Sequence, residues 1–212
     1  PQSRRRVLIV AVREGPAPRP PGPGATPAIR AAFERLPADL KRRWIDWPPA
    51  PAVGRNADLA DLLEPDDAVR WHPEETTDRL VAQLDARNRA KLDEALAAGG
   101  RQVGAVFRRI RGGEQRAEVR FDGLAGCLRT PRGGSSRQIL LVVEEGSVRS
   151  RLLAPREAAR LMGLPEDYRL PPTATGAFMV TGDGVAVPVV RWLAQAILEP
   201  LLSPGARVMA AE

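Results

Sequence analysis

The chain has 212 residues, 43% apolar and 4% aromatic, with 32 basic and 26 acidic side chains that leave a net charge of +6. That length supports one or two domains with a real core. Its one cysteine, Cys127, and one histidine, His72, leave no disulfide framework and no set from which to build a zinc site or a Ser–His–Asp triad, so no metal is expected. A lone cysteine fits a reducing compartment, and neither a bilayer-length apolar run nor a signal-peptide pattern is seen, so a cytoplasmic location without a membrane partner is the expectation.

In chain order, Pro1-Gln2-Ser3-Arg4-Arg5-Arg6 leads into the apolar string Val7–Val12, which reads as a buried strand entered mid-fold. Such a strand needs neighbours, so the chain reads as a fragment or a separately encoded half of something larger. Residues 15–27 hold six prolines and three glycines and read as an irregular loop. Ala28–Leu36 places Ile29, Phe33 and Leu36 at helical spacing, and residues 56–63 suggest a helical turn or two before Glu64-Pro65. Glu74–Ala98 is the longest helical stretch, with Leu80, Leu84, Leu92 and Leu96 near one face and Gly99-Gly100 as its stop. Val103–Ile110 and Ala117–Phe121 alternate as strands about a Gly112-Gly113 turn, and Cys127–Leu128 and Ile139–Val143 read as two more. Pro155–Met162 is a helix with proline at its first position and Gly163 after it. An extended linker then reaches a glycine-flanked loop, Thr181-Gly182-Asp183-Gly184, expected to open the last helix, Val187 to about Leu202. Backbone N–H groups at such a helix entry suit a polar or anionic ligand. The last helix is apolar on Val190, Leu193, Ile197 and Leu201 and is expected to bury against a larger body.

The charge is local. Arg101–Arg137 contains nine arginines and three acids, whereas the other 175 residues carry 23 of each sign. GC-rich coding explains arginine over lysine but not the scarcity of acids in one segment. A local arginine excess is the footprint of a polyanion. Within it, the stretch Arg129, Thr130, Pro131, Arg132, Gly133, Gly134, Ser135, Ser136, Arg137 combines close backbone approach, phosphate-binding hydroxyls and arginines able to reach guanine edges. The other reading of that stretch is a solvated basic hairpin.

Three stretches in order resemble the C-terminal half of bacterial cytosine-C5 DNA methyltransferases. Pro1–Arg6 is similar to that family's PQxRxR motif. Arg151-Leu152-Leu153-Ala154-Pro155-Arg156-Glu157-Ala158-Ala159-Arg160-Leu161-Met162-Gly163 with Pro165-Glu166-Asp167-Tyr168 resembles its R-x-L-[TS]-x-R-E-x-A-R-L-x-G-F-P-D-x-[FY] motif. Gly182-Asp183-Gly184-Val185-Ala186-Val187-Pro188 resembles its final G-N-[AS]-V-x-x-P motif. The resemblance implies an α/β fold, part of a Rossmann-like methyltransferase domain, with a small irregular α+β target-recognition domain. It divides the chain into a catalytic-domain strand segment (1–14), a target-recognition domain (15–150), and a brace with a returning C-terminal helix (151–212).

The same resemblance implies methyl transfer from S-adenosylmethionine to C5 of a cytosine flipped out of double-stranded DNA. One or both of Arg4 and Arg6 would meet the flipped cytosine and the family's catalytic glutamate. Residues 129, 130, 132–137 would contact DNA, and Asp183, Gly184 and Val185 would border the cofactor. Arg156, Glu157 and Arg160 would make structural ion pairs, with Ala154 where the family has a capping Thr or Ser. Asp183 stands where the family prefers Asn, and a carboxylate there accepts hydrogen bonds but cannot donate them. The family's Pro-Cys nucleophile, Glu-Asn-Val and Phe-x-Gly-x-Gly motifs do not occur in this sequence. An N-terminal methyltransferase half or subunit is therefore an expected partner, and a DNA-binding module without catalysis is the alternative.

Overall fold

In the computed structural model, the structure describes residues 8–13, 16–50, 54–130 and 137–203. These fall into two compact units: Arg55–Val187, and a second made of residues between 8 and 54 together with those from 188 to 203.

In the second unit, helix α1 (Pro27–Glu34) starts as the sequence requires. Thr26 accepts the Ile29 N–H at 3.3 Å and proline occupies the first turn. A short α2 (Ala38–Lys41) follows, and Phe33 meets Trp44 edge-on with ring centroids 5.4 Å apart. The expected strand at Val7–Val12 is not formed by the described residues 8–12, which pair in no ladder. Val10 instead gives its carbonyl to Trp47 Nε1 at 3.1 Å, and Ile9 is 88% exposed. Strand geometry is held by neighbouring strands, and none lies alongside this segment among the described residues.

The larger unit is built on a four-stranded antiparallel sheet. Two 3₁₀ turns (Ala60–Leu62 and Asp66–Ala68) precede helices α3 (Glu74–Ala82) and α4 (Ala86–Ala98). Strands β1 (Gln102–Arg111), β2 (Glu114–Arg120), β3 (Ile139–Glu144) and β4 (Ser147–Leu152) pair in the order β2-β1-β3-β4. The β1–β2 turn uses Gly112 and Gly113 at φ of 58° and 83°, the left-handed pair that a two-residue hairpin demands.

The expected single helix at 74–98 is two helices. Asp85 accepts from the backbone N–H and side-chain amide of Asn88, both at 2.8 Å, and so restarts the helix as an N-cap. Gln83 meanwhile gives its carbonyl to Ala117 N–H at 3.0 Å, tying the break to the sheet edge. Buried Asn88 completes the junction by accepting from Val119 N–H at 3.1 Å.

Both sheet faces are covered. Ile139, Leu141 and Val143 pack with Leu80, Leu92 and Ala95 of α3 and α4. Leu140 and Val142 pack with Leu59, Leu128, Leu161 and Phe178 on the other face. This two-sided burial explains why β3 reads as an unbroken apolar run. Cys127–Leu128 is not a strand: Gly126 N–H donates to the Gln138 side chain at 3.0 Å rather than to a ladder.

Helix α5 (Pro155–Leu161) ends at Gly163, φ 73°. The expected linker contains α6 (Ala174–Asp183), capped by Thr173 accepting from Gly176 N–H at 3.1 Å. Helix α7 (Val187–Leu193), a π-turn (Ala194–Leu198) and α8 (Glu199–Leu202) form the last helical run. By length and composition the helical run Ala174–Leu202 is apolar enough to cross a bilayer, which differs from the expectation of no apolar run of that length. The run is broken at Gly184, in extended backbone (φ −64°, ψ 160°), and Ala177, Phe178 and Thr181 are buried.

Candidate nucleic-acid interface

Helix α5 is positioned by a carboxylate. Arg151 and Glu157 are both fully buried and form a two-pronged pair at 2.9 and 2.6 Å. Glu157 also accepts the Ala154 N–H at 2.7 Å and the Glu64 N–H at 2.8 Å. Ala154 has no side-chain oxygen to cap the helix, so Glu157 supplies only the reciprocal half of a capping box. Arg160 reaches both carboxylate oxygens of Glu166 at 2.7 and 2.9 Å and pairs with Glu64 at 2.9 Å. Arg156 donates to the Tyr168 carbonyl at 3.0 Å. Of the three helix residues expected to pair, Glu157 and Arg160 form ion pairs, whereas Arg156 uses carbonyls.

Beside this brace, α6 is fitted to the ends of the arginine loop. A Cβ on Gly182 would lie 2.5 Å from Thr130 N and 2.6 Å from the Arg129 carbonyl carbon, so only glycine lets that backbone lie against the helix. One turn earlier on α6, the Phe178 ring sits under the Arg137 guanidinium at 5.2 Å. Arg132, Gly133, Gly134, Ser135 and Ser136 lie outside the described residues, as do Arg4 and Arg6. The described flanks of that loop are therefore both seated on one helix. Gln138 fixes the second flank from within, its amide donating to the Val106 carbonyl at 2.7 Å while its oxygen accepts from Gly126.

The loop expected at Thr181–Gly184 is instead the end of a helix. Thr181, Gly182 and Asp183 are the last turn of α6 rather than a loop, and Gly184 N–H returns to the Val180 carbonyl at 3.0 Å before α7 begins at Val187. A helix C-terminus carries partial negative charge, which Asp183 reinforces, so this end favours cations over anions. Asp183 is exposed and Val185 is 45% exposed.

The Arg129 end of the loop borders a cleft of about 670 Å³ lined by seven cationic side chains and two carboxylates, Asp85 and Glu118. The cations differ in commitment. Lys91 is held by the Val119 carbonyl at 3.0 Å and Asn88 at 2.9 Å. Arg120 is paired with Asp122, and its hydrogen bond holds the Asp122 carboxyl below the usual carboxylate range. Arg109 makes an exposed pair with Glu118 at 3.3 Å. Arg87, Arg108 and Arg129 are exposed. Asp85 is held low first by the Asn88 backbone hydrogen bond and so stays ionised. Arg108 and Arg109 belong to the segment flagged by charge, but Arg87 does not, because only the α3–α4 break brings it to the cleft. Among the described residues no cluster of three or more His, Cys, Asp or Glu is placed to hold a metal ion.

Cys127, partly buried on the cleft wall, follows Gly126, and a Cβ on that glycine would lie 2.1 Å from the Phe107 ring. The close packing accounts for glycine at position 126.

Comparison with known proteins gives related sequences over part of the chain. The chain is 39% identical over 61 residues to the type II methyltransferase M1.ScrFI of Lactococcus lactis subsp. cremoris, covering 29% of this chain and 16% of that protein. It is 38% identical over 61 residues to M.SsoII of Shigella sonnei, with the same coverages. It is 36% identical over 67 residues to M.BsuFI of Bacillus subtilis, covering 32% of this chain and 16% of that one. The matched segments thus span about a sixth of the curated relatives. The family model for C-5 cytosine-specific DNA methylases matches residues 1–199, and the chain belongs to that family.

Proposed function

We propose that this chain is the target-recognising, pocket-completing part of a cytosine-C5 DNA methyltransferase, corresponding to the family's C-terminal half. It works with an N-terminal half that carries the Pro-Cys nucleophile and the rest of a Rossmann-like sheet. The observation that carries the reading is the double duty of α6, which seats Arg129–Thr130 and Arg137 and ends in Asp183-Gly184-Val185. One helix thereby links a DNA-facing loop to a candidate cofactor edge. A second support is the smaller unit, whose described residues contribute only Ile197 to the buried apolar set. A unit with so little core of its own suits a role as part of a larger domain.

In this reading S-adenosylmethionine supplies the electrophilic methyl group. The donor set fits one part of it and opposes another: Asp183 accepts from an ammonium or ribose hydroxyls and repels a carboxylate. Arg4 and Arg6 donate to the extruded cytosine, and guanidinium suits that task because it keeps its proton. Arg129, Thr130, Arg132, Gly133, Gly134, Ser135, Ser136 and Arg137 hold the duplex. Cys127 has a structural place and is not the nucleophile.

The test mixes this chain with an N-terminal methyltransferase half bearing the Pro-Cys motif, duplex DNA and methyl-labelled S-adenosylmethionine. Label is expected in cytosine only when both parts are present. No transfer across a panel of family N-terminal halves, with duplex binding by this chain intact, would leave the non-catalytic DNA-binding reading standing instead.

A further inference from the structure

Strand β1 is longer than its central partner. β3 pairs with β1 only from Gln102 to Val106, while β2 continues with it from Ala105 to Arg111. Beyond Val106 the two strands run on as a two-stranded ribbon, and Ile110 near its tip is 77% exposed. Register places Arg109 directly opposite Arg116, so two guanidinium groups share one face of the ribbon. Like charges in directly opposed positions destabilise a strand pair. Among the described residues each pairs with an exposed carboxylate, Glu118 at 3.3 Å for Arg109 and Glu114 at 3.2 Å for Arg116. Exposed pairs of this kind are weak and readily exchanged for a stronger anion. The side chain of Arg108, on the opposite face, is exposed.

We propose that the face of the β1–β2 ribbon carrying Arg109 and Arg116 is a second duplex-DNA contact, binding backbone phosphates next to the arginine loop. Phosphate oxygens replace Glu118 and Glu114 and relieve the cross-strand repulsion. A two-stranded ribbon is narrow enough to follow a DNA groove, and its arginines then meet the backbone without reading sequence. The proposal rests on the recognition role argued above and extends it from a loop to a rigid element.

The experiment titrates the full chain with a fluorescent 20-base-pair duplex between 50 and 200 mM salt, for the parent, for R109Q/R116Q and for R79Q/R89Q. The last pair removes the same charge from exposed sites on α3 and α4 outside the cleft. Each lost phosphate contact lowers the salt slope by about 0.9, so the parent's affinity should fall about 12-fold more than that of R109Q/R116Q across this range. R79Q/R89Q should follow the parent. A ribbon variant that binds with the parent's affinity and slope, while the parent binds the duplex, overturns the ribbon contact alone. A parent that does not bind duplex DNA at 50 mM salt overturns the recognition role and the ribbon with it. Melting curves for all three proteins verify folding, and an unfolded ribbon variant is replaced by R109K/R116K. That variant keeps the charge, and its parent-like slope beside a lost slope in single glutamine variants supports the same contact.

Discussion

Replacing Glu157 with alanine tests the account of the brace most severely. The substitution removes a fully buried carboxylate that takes two hydrogen bonds from Arg151 and one each from the backbone N–H groups of Ala154 and Glu64. Removing one member of a buried pair costs about 3–5 kcal/mol, because the other charge stays in the interior without a partner. Each backbone N–H left unpaired adds about 1–3 kcal/mol where water does not reach it. A net loss of about 5 kcal/mol is expected, against a total of about 5–15 kcal/mol for a typical domain. At roughly 2–4 °C per kcal/mol for this chain length, the melting temperature should fall by about 10–20 °C. Urea unfolding followed by tryptophan fluorescence is a suitable assay, since Trp71 stacks under both Arg149 and Arg151 at 4.1 and 5.4 Å. The companion variant R151M/E157L removes both charges and leaves only the N–H penalties. It should be more stable than either single variant would suggest, with a coupling of at least ~2 kcal/mol. A loss below ~1 kcal/mol for E157A, or strict additivity in the double variant, would refute the buried-pair argument.

Two further outcomes follow from other parts of the same unit. Asp66 is held down at about 2, first by its hydrogen bond from Arg101, with Arg149 adding to it, so its folded pKa lies below its unfolded one. Its stabilising contribution is present above about pH 4 and is lost as pH falls toward 2; after discounting for solvent screening it is about 1 kcal/mol. D66N should therefore flatten acid unfolding in that window, and a stability–pH curve unchanged from the parent's would contradict the assignment. Gly182→Ala gains about 1 kcal/mol of helix propensity but drives a Cβ into the Arg129–Thr130 backbone, which costs about 1–3 kcal/mol. Lower melting together with weaker duplex binding is expected, and a variant that melts higher than the parent would show that the contact is not tight.

Much of the sheet was legible and much of its surroundings was not. The run Ile139–Val143 announced itself because both faces of β3 are buried. β4 was missed because its burial is polar: Ser150 lies 2.9 Å from both Thr77 and His72, and Arg151 is fully enclosed. A sequence such as SVRSRL reads as solvent-facing unless the partners of Ser150 and Arg151 are known. The break between α3 and α4 was hidden because the leucines keep helical spacing across it, although Asp85 and Asn88 carry the cap signature. Helix α6 escaped notice because its glycines and threonines obscure the period, and with it went the fact that Asp183 ends a helix. The arginine segment was legible from charge alone, but its connection to α6 depends on Gly182 and Phe178, some fifty residues away, and no local pattern encodes that meeting.

The clamps described on the arginine loop bear on the flanks of its six central residues, 131–136. Gly182 and Phe178 belong to α6, Gln138 precedes β3, and Gly126 is fitted to Phe107 of β1. None of these contacts refers to what the six residues are. If the loop reads DNA as proposed, its reading residues lie between clamped flanks, while the helix that seats those flanks also ends at the edge proposed for the methyl donor. Divergence in what is read and constancy in what is done would then be kept on separate stretches of one short polypeptide.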